Sequence, residues 1–211
     1  MKKKHKGLFI TFEGGEGVGK STLIERVFDI LTQKGHALIK TREPGGTFLG
    51  KEIRKLLLHQ ETLHVSKESE LFLYLSDRAQ HVQEVILPSL RAGKIVLCDR
   101  FNDSTLAYQG AARALNVELI TSLCSAATNG LVPDLTLFLD LDPVIGLRRA
   151  MEKEAHDRLE KEPLDFHQKV REAFLSFAKK EPDRFHVIDA SQDKETVTAA
   201  AIREVEAALC L

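Results

Sequence analysis

The sequence predicts a doubly wound α/β domain in which helices cover both faces of a five-stranded parallel sheet. Three observations carry this. Short apolar runs alternate with longer segments of helical spacing along all 211 residues, the order that builds a parallel sheet through right-handed crossovers. The first apolar run enters a glycine-rich loop that opens a helix, and G-x-x-x-x-G-K-S stands in that loop. No repeat, low-complexity tract or linker interrupts the chain, whose length suits one core better than two. One domain is expected over residues 1–211.

Leu8 to Glu13 is a short apolar strand that runs into glycines. Gly19 to Lys34 follows as a helix with Leu23, Val27, Ile30 and Leu31 on one face, and Gly35 ends it. His36 to Thr41 is the second strand. Glu43-Pro44-Gly45-Gly46 must turn, and a helix runs from about Leu49 to His59. The spacing of Leu71, Leu75, Val82, Ile86 and Leu90 predicts a long helix over 67–91, with Pro88 bending it or sitting in its last turns. Ile95 to Cys98 is a fully apolar strand ending at Asp99. A helix over 115–128 stops at Asn129-Gly130, and Leu135 to Leu141 is the fourth strand. Residues 145–163 are mostly charged. A helix over 166–179, a strand over 185–188 and an amphipathic helix to Leu209 complete the chain.

Lys plus Arg total 30 against 31 Asp plus Glu, a formal net charge of -1. That leaves no global basic field to hold a nucleic-acid polymer. The basic start, residues 1–6, reads as a short solvated tail. No apolar run reaches the roughly 18 residues of a membrane span, and no signal peptide is visible. Cys98, Cys124 and Cys210 are odd in number and match neither metal-site nor disulfide spacing. A cytoplasmic protein with reduced thiols is expected.

Gly14-Gly15-Glu16-Gly17-Val18-Gly19-Lys20-Ser21 is a phosphate-binding loop placed between strand and helix, where the chemistry needs it. Backbone N–H groups freed by the glycines can cradle phosphate oxygens, and the helix N-terminus adds its positive end. Lys20 should reach the β- and γ-phosphates of ATP, and Ser21 should ligate Mg²⁺, with Thr22 beside them. No N-K-x-D or D-x-x-G occurs, which argues against a GTPase switch. Asp99, an acid at the end of a buried strand, is the second expected Mg²⁺ ligand, direct or through water.

Around this loop stand Thr41-Arg42-Glu43-Pro44-Gly45-Gly46-Thr47, then Asp99-Arg100-Phe101 with Asp103-Ser104-Thr105-Leu106-Ala107-Tyr108-Gln109-Gly110, then Pro133-Asp134-Leu135-Thr136-Leu137-Phe138-Leu139-Asp140. In this order they resemble bacterial thymidylate kinases, over nearly the whole chain from Phe9 to about Phe185. The resemblance implies the P-loop nucleoside monophosphate kinase fold and transfer of the γ-phosphoryl group of ATP to dTMP. It places Arg54 and Arg100 on the acceptor phosphate, where a guanidinium fork suits a phosphate dianion. It places Tyr74 against thymine and Arg78, one helical turn on, at its carbonyl. Thr105 and Gln109 match polar positions near the base edge, and Tyr108 a residue that crowds the sugar C2′. Glu43 and Pro44 match the pocket around thymine. The family functions as a homodimer, and the 71–90 stripe could serve either an interface or the core.

The resemblance also implies a lid at about residues 148–162. Thymidylate kinases carry a basic residue either inside the phosphate loop or on this lid, and here the loop carries the acidic Glu16. The cation that neutralises the transferring group should therefore come from the lid. Arg149, Lys153 and Arg158 are the candidates, and the family's lid arginine falls at Lys153. Glu16 is expected at the dTMP sugar or the metal shell. The alternatives are another P-loop nucleoside or nucleotide kinase, or a P-loop regulatory ATPase. The TREPGG segment and the Tyr74–Arg78 pair weigh against the first, and the two acceptor-side arginines against the second.

Overall fold

A computed structural model describes residues 5–59, 64–152 and 158–210. The five expected strands are Leu8–Glu13 (β1), Leu38–Arg42 (β2), Ile95–Asp99 (β3), Leu135–Asp140 (β4) and Phe185–Asp189 (β5). They pair in parallel in the order β2-β3-β1-β4-β5. β1 lies at the centre and is buried along its length, which is why it reads as a continuous apolar run and not as an alternation. Register places Phe12 and Arg42 on either side of Asp99, so the ends of β1, β2 and β3 form one edge. Ligands bind at this carboxyl edge of open α/β sheets.

The helices are Lys20–Gln33 (α1), Phe48–Arg54 (α2), Lys67–His81 (α3), Leu87–Arg91 (α4), Asn102–Thr105 (α5), Val117–Thr128 (α6), Pro143–Met151 (α7), Leu164–Lys180 (α8) and Lys194–Leu209 (α9). On one face of the sheet, Ile10, Phe12, Leu97 and Leu137 meet Leu23 and Val27 of α1 and Ala201 and Val205 of α9. On the other, Phe138 stacks on Phe174 of α8, and Phe185 packs against the same ring at a tilt. Truncating such a buried phenylalanine to alanine costs about 3–5 kcal/mol.

The segment predicted as one helix over 67–91 passes from α3 through a π-helical turn, Val82–Ile86, into α4. Pro88 falls near the start of α4, where its missing N–H interrupts the least. The apolar stripe is core. Leu71 and Leu75 pack on Ile120 and Cys124 of α6, while Val82, Ile86 and Leu90 pack on Phe9 and Val96. It is therefore not an interface. Residues 102–112 were not expected to be helical, yet they form α5 and a π-helical continuation, Leu106–Ala112. The first turns of the charged stretch form α7. Among the described residues, no helix is long and apolar enough to cross a membrane.

Candidate active site

β1 delivers the chain into the loop 14–19, where Gly17 (φ 65°) and Gly19 (φ 92°) adopt left-handed backbones. Gly17 also has no room for a side chain, because a Cβ there would drive into the Gly146 carbonyl of α7. The loop opens α1 with no side-chain cap, leaving N–H donors and the positive helix end to an anion. Lys20 is 8% exposed and folds back over the loop, Nζ donating to Gly14 O at 3.1 Å and Gly15 O at 2.8 Å. Burial, then the Arg100 charge, depress its pKa to about 8 against the pull of Glu16, Asp99 and Glu13.

Ser21 Oγ donates to Asp99 Oδ2 at 3.4 Å. Asp99 Oδ1 is buried and has no hydrogen-bond partner among the described residues. A hydroxyl beside an unsatisfied carboxylate oxygen suits a hard cation, so these residues fit Mg²⁺. Among the described residues no three His, Cys, Asp or Glu side chains cluster to hold a metal. Nucleotide phosphates would have to complete the ligand set.

Arg100 follows β3 with φ 70°, a left-handed backbone that costs a non-glycine residue about 1–3 kcal/mol. Its Nη1 donates to Gly14 O at 3.0 Å and Ser104 Oγ at 3.2 Å, and its Nη2 to Glu16 Oε1 at 2.8 Å. The guanidinium lies 4.9 Å from the centre of the Tyr108 ring. The Tyr108 hydroxyl also donates to Glu16 Oε1, at 2.7 Å. Burial alone would raise the Glu16 pKa, but Arg100 and Lys20 outweigh it and hold the carboxyl at about 2. Arg54 reaches from α2 to the Pro44 carbonyl, Nη1 donating at 3.0 Å.

The base end is built on α3. Arg78 is fully buried and held on three sides: Nε donates to Glu43 Oε2 at 2.6 Å, Nη1 to Thr105 Oγ1 at 2.8 Å, and Nη2 to Phe101 O at 3.1 Å. Nη2 carries two hydrogens, so one N–H remains for a ligand carbonyl. Glu43 is fixed in turn by His81, whose Nδ1 lies 2.9 Å from Glu43 Oε1 and whose Nε2 lies 2.6 Å from Thr41 Oγ1. Gln109 Nε2 donates to Glu70 Oε1 at 2.7 Å.

One cavity of about 680 Å³ joins these parts. Its wall holds Glu16 to Thr22 of the loop, Asp99, Arg100 and Arg149, together with Glu43, Pro44, Arg54, Tyr74, Arg78, Thr105, Tyr108 and Gln109. Gly14 and Gly15 stand behind this wall, and Gly14 gives its carbonyl to Lys20 and Arg100. Arg158 does not join the site. Its Nη2 is paired with Glu70 and its Nε donates to Leu57 O at 3.0 Å, so a buried carboxylate and a carbonyl hold it off the wall. Lys153 lies outside the described residues. Ser104, Glu160 and Lys194 also line the cavity and were not anticipated. Ser104 stood in a quoted motif without a role, Glu160 falls within the expected lid, and nothing in the sequence marks Lys194.

A phosphate loop and two guanidinium groups lining a single cavity, on a five-stranded parallel sheet, define a P-loop nucleoside monophosphate kinase. Sequence comparison narrows the class. The family model described as thymidylate kinase matches residues 12–201. The chain is 50% identical to the thymidylate kinase of Protochlamydia amoebophila, covering 96% of this chain and 94% of that protein. It is 52% identical to that of Desulfovibrio desulfuricans, covering 96% of each. The crystal structure of Ehrlichia chaffeensis thymidylate kinase superposes with a TM-score of 0.78 at 33% identity, covering 94% of this chain and 98% of that one. The chain belongs to the thymidylate kinase family.

Proposed function

We propose that this protein moves the γ-phosphoryl group of ATP onto dTMP by direct in-line transfer, giving ADP and dTDP. The observation that carries this reading is the shared cavity, which brings the phosphate loop and Arg54 and Arg100 to one space. An oxygen of the dTMP phosphate forms the new bond to the γ-phosphorus as the bond to the β–γ bridging oxygen breaks. Near pH 7 that phosphate is mostly dianionic, its second pKa being about 6, so no general base is needed. Catalysis is positioning and charge neutralisation. Loop N–H groups and Lys20 hold the β- and γ-phosphates, and Arg149 adds charge from α7. Arg54 and Arg100 hold the acceptor. Ser21 and Asp99 would hold Mg²⁺, which when bound supplies further neutralisation of the transferring oxygens.

At the other end Tyr74 stacks on thymine and the remaining Arg78 N–H donates to its O4. Cytosine offers an amine there, leaving two donors face to face, so dCMP is rejected. Tyr108, pinned by Glu16, crowds out a ribose 2′-hydroxyl. Residues 148–162 act as a lid that excludes water and prevents hydrolysis of ATP. The rest of residues 1–211 is one kinase domain, with 1–6 as a tail. The protein pairs as a homodimer in the reducing cytoplasm. Exposed Phe48 (80%) and Phe72 (56%), on the adjoining helices α2 and α3, support the pairing, and three free cysteines support the compartment. Mass detection of products when dTMP, dUMP, dCMP and thymidine compete for ATP and Mg²⁺ tests the reading. dTDP should dominate, and hydrolysis of ATP without a phosphorylated acceptor would overturn it.

A further inference from the structure

Glu13, the last residue of β1, has no part in the reaction described above. It is off the cavity wall and fully buried. Its Oε1 accepts from the Phe101 N–H at 2.8 Å and its Oε2 from the Ser104 hydroxyl at 2.6 Å. Both donors lie in the segment that begins with Arg100. Ser104 Oγ in turn accepts from Arg100 Nη1 at 3.2 Å, and the same Nη1 donates to the carbonyl of Gly14, the neighbour of Glu13. On the other side of Glu13, Phe12 O accepts from the Arg100 N–H at 3.0 Å. Three consecutive residues thus grip the backbone, the following residues and the guanidinium of one arginine.

That grip has a physical purpose. A left-handed arginine backbone is disfavoured by itself and must be held by its surroundings. Gly14 O also accepts from Lys20 Nζ, so the donor-side lysine and the acceptor-side arginine share one reference point. Asp103, whose charge opposes that of Glu13, is occupied by Arg184, whose Nη1 and Nη2 donate at 2.8 and 3.1 Å, while Glu16 takes the remaining Arg100 Nη2 at 2.8 Å.

We propose that Glu13 is the positioning residue for the acceptor-phosphate arginine, setting Arg100 against the phosphate loop so that the two nucleotides meet in line. The inference rests on the assignment of Arg100 to the dTMP phosphate. Burial, with the Asp103 charge, pushes the Glu13 carboxyl well above the usual carboxylate range. Glutamine keeps an oxygen to accept from the Phe101 N–H, and its amide can donate to Ser104 Oγ once that hydroxyl turns its own hydrogen away.

The test is calorimetric titration of dTMP, and separately of ATP with Mg²⁺, into Glu13→Leu, Glu13→Gln, Ser104→Ala and Arg100→Ala, alone and in combination. Glu13→Leu should weaken dTMP binding about tenfold or more and leave ATP binding within about twofold, since only the arginine's placement is lost. Glu13→Gln should recover most of that loss. In the Arg100→Ala background neither Glu13→Leu nor Ser104→Ala should weaken dTMP binding further, because the residue through which they act is gone. Equal weakening of both nucleotides, unchanged dTMP affinity, or full additivity with Arg100→Ala would overturn the proposal and leave Glu13 an ordinary loop anchor. If Glu13→Leu does not fold, Ser104→Ala decides by the same additivity criterion. Unchanged dTMP affinity in Arg100→Ala itself would overturn the acceptor assignment and the inference with it.

Discussion

Replacing Gly146 with alanine should loosen the protein and slow the transfer, through one backbone contact. Gly146 lies in α7, the helix that carries Arg149 to the cavity. A Cβ on Gly146 would stand well under 3.0 Å from the Glu16 carbonyl oxygen, and one on Gly17 would strike the Gly146 carbonyl in return. Both obstacles are backbone, so no side chain can swing aside. Ordinary contact begins near 3.4 Å, so α7 and the loop must part by about 1 Å. Overpacking of this kind costs about 1–3 kcal/mol. For a chain of this size that lowers Tm by about 2–12 °C. A misplacement of about 1 Å in the catalytic groups costs about 10²-fold in rate. Arg149 and the loop both serve the donor, and Glu16 also holds Arg100 and Tyr108, so the loss should appear in kcat and in KM for ATP, with a smaller rise in KM for dTMP. Thermal melts and steady-state kinetics with each substrate varied would read this out. Unchanged Tm and unchanged kcat/KM for ATP would refute the reasoning that the loop and α7 are locked together by glycine.

Lys20→Ala should lower kcat by about 10³-fold or more with the fold intact by circular dichroism, because the triphosphate loses its buried cation. Arg149→Ala should cost about 10²-fold or more in kcat, whereas Arg158→Ala should act mainly on stability, by about 1.5–3 kcal/mol, because it leaves the buried Glu70 carboxylate short of a partner. Kinetics and urea melts of the two variants separate these outcomes. Asp77 supplies a pH signature. Burial, then the Glu43 charge, raise its pKa from 3.8 to about 6, so its contribution to stability is full below 3.8 and lost as pH rises through about 6. Asp77→Asn lacks that loss, so its stability relative to the parent should climb by about 2 kcal/mol between pH 4 and pH 7 in urea melts.

The features legible in the sequence were those written in neighbouring residues. β1, β3 and β4 are buried on both faces, and contiguous apolar runs announce them. The phosphate loop is a spacing of glycines that few other structures require. Tyr74 and Arg78 stand one helical turn apart and do share the cavity. The helical run 102–112 escaped because Ala107 to Gly110 are buried with no alternating polar face. Its start, Phe101, caps without a side chain. The stripe from Leu71 to Leu90 showed that one side of a helix is apolar, but not whether its partner belongs to the same chain. The pairing of Arg158 with Glu70 could not be read from the sequence, because Glu70 lies 88 positions away. Separation in sequence also hid the Glu43–Arg78–His81 network, in which the partners are 35 and 38 residues apart.

The transfer requires one cavity to hold two nucleotides end to end, which a crystal structure with dTMP and a non-hydrolysable ATP analogue would show. The dTMP phosphate should lie within about 3 Å of guanidinium nitrogens of Arg54 and Arg100, facing a triphosphate seated on residues 14–21. A dTMP phosphate bound away from both arginines, or a second nucleotide outside this cavity, would contradict it.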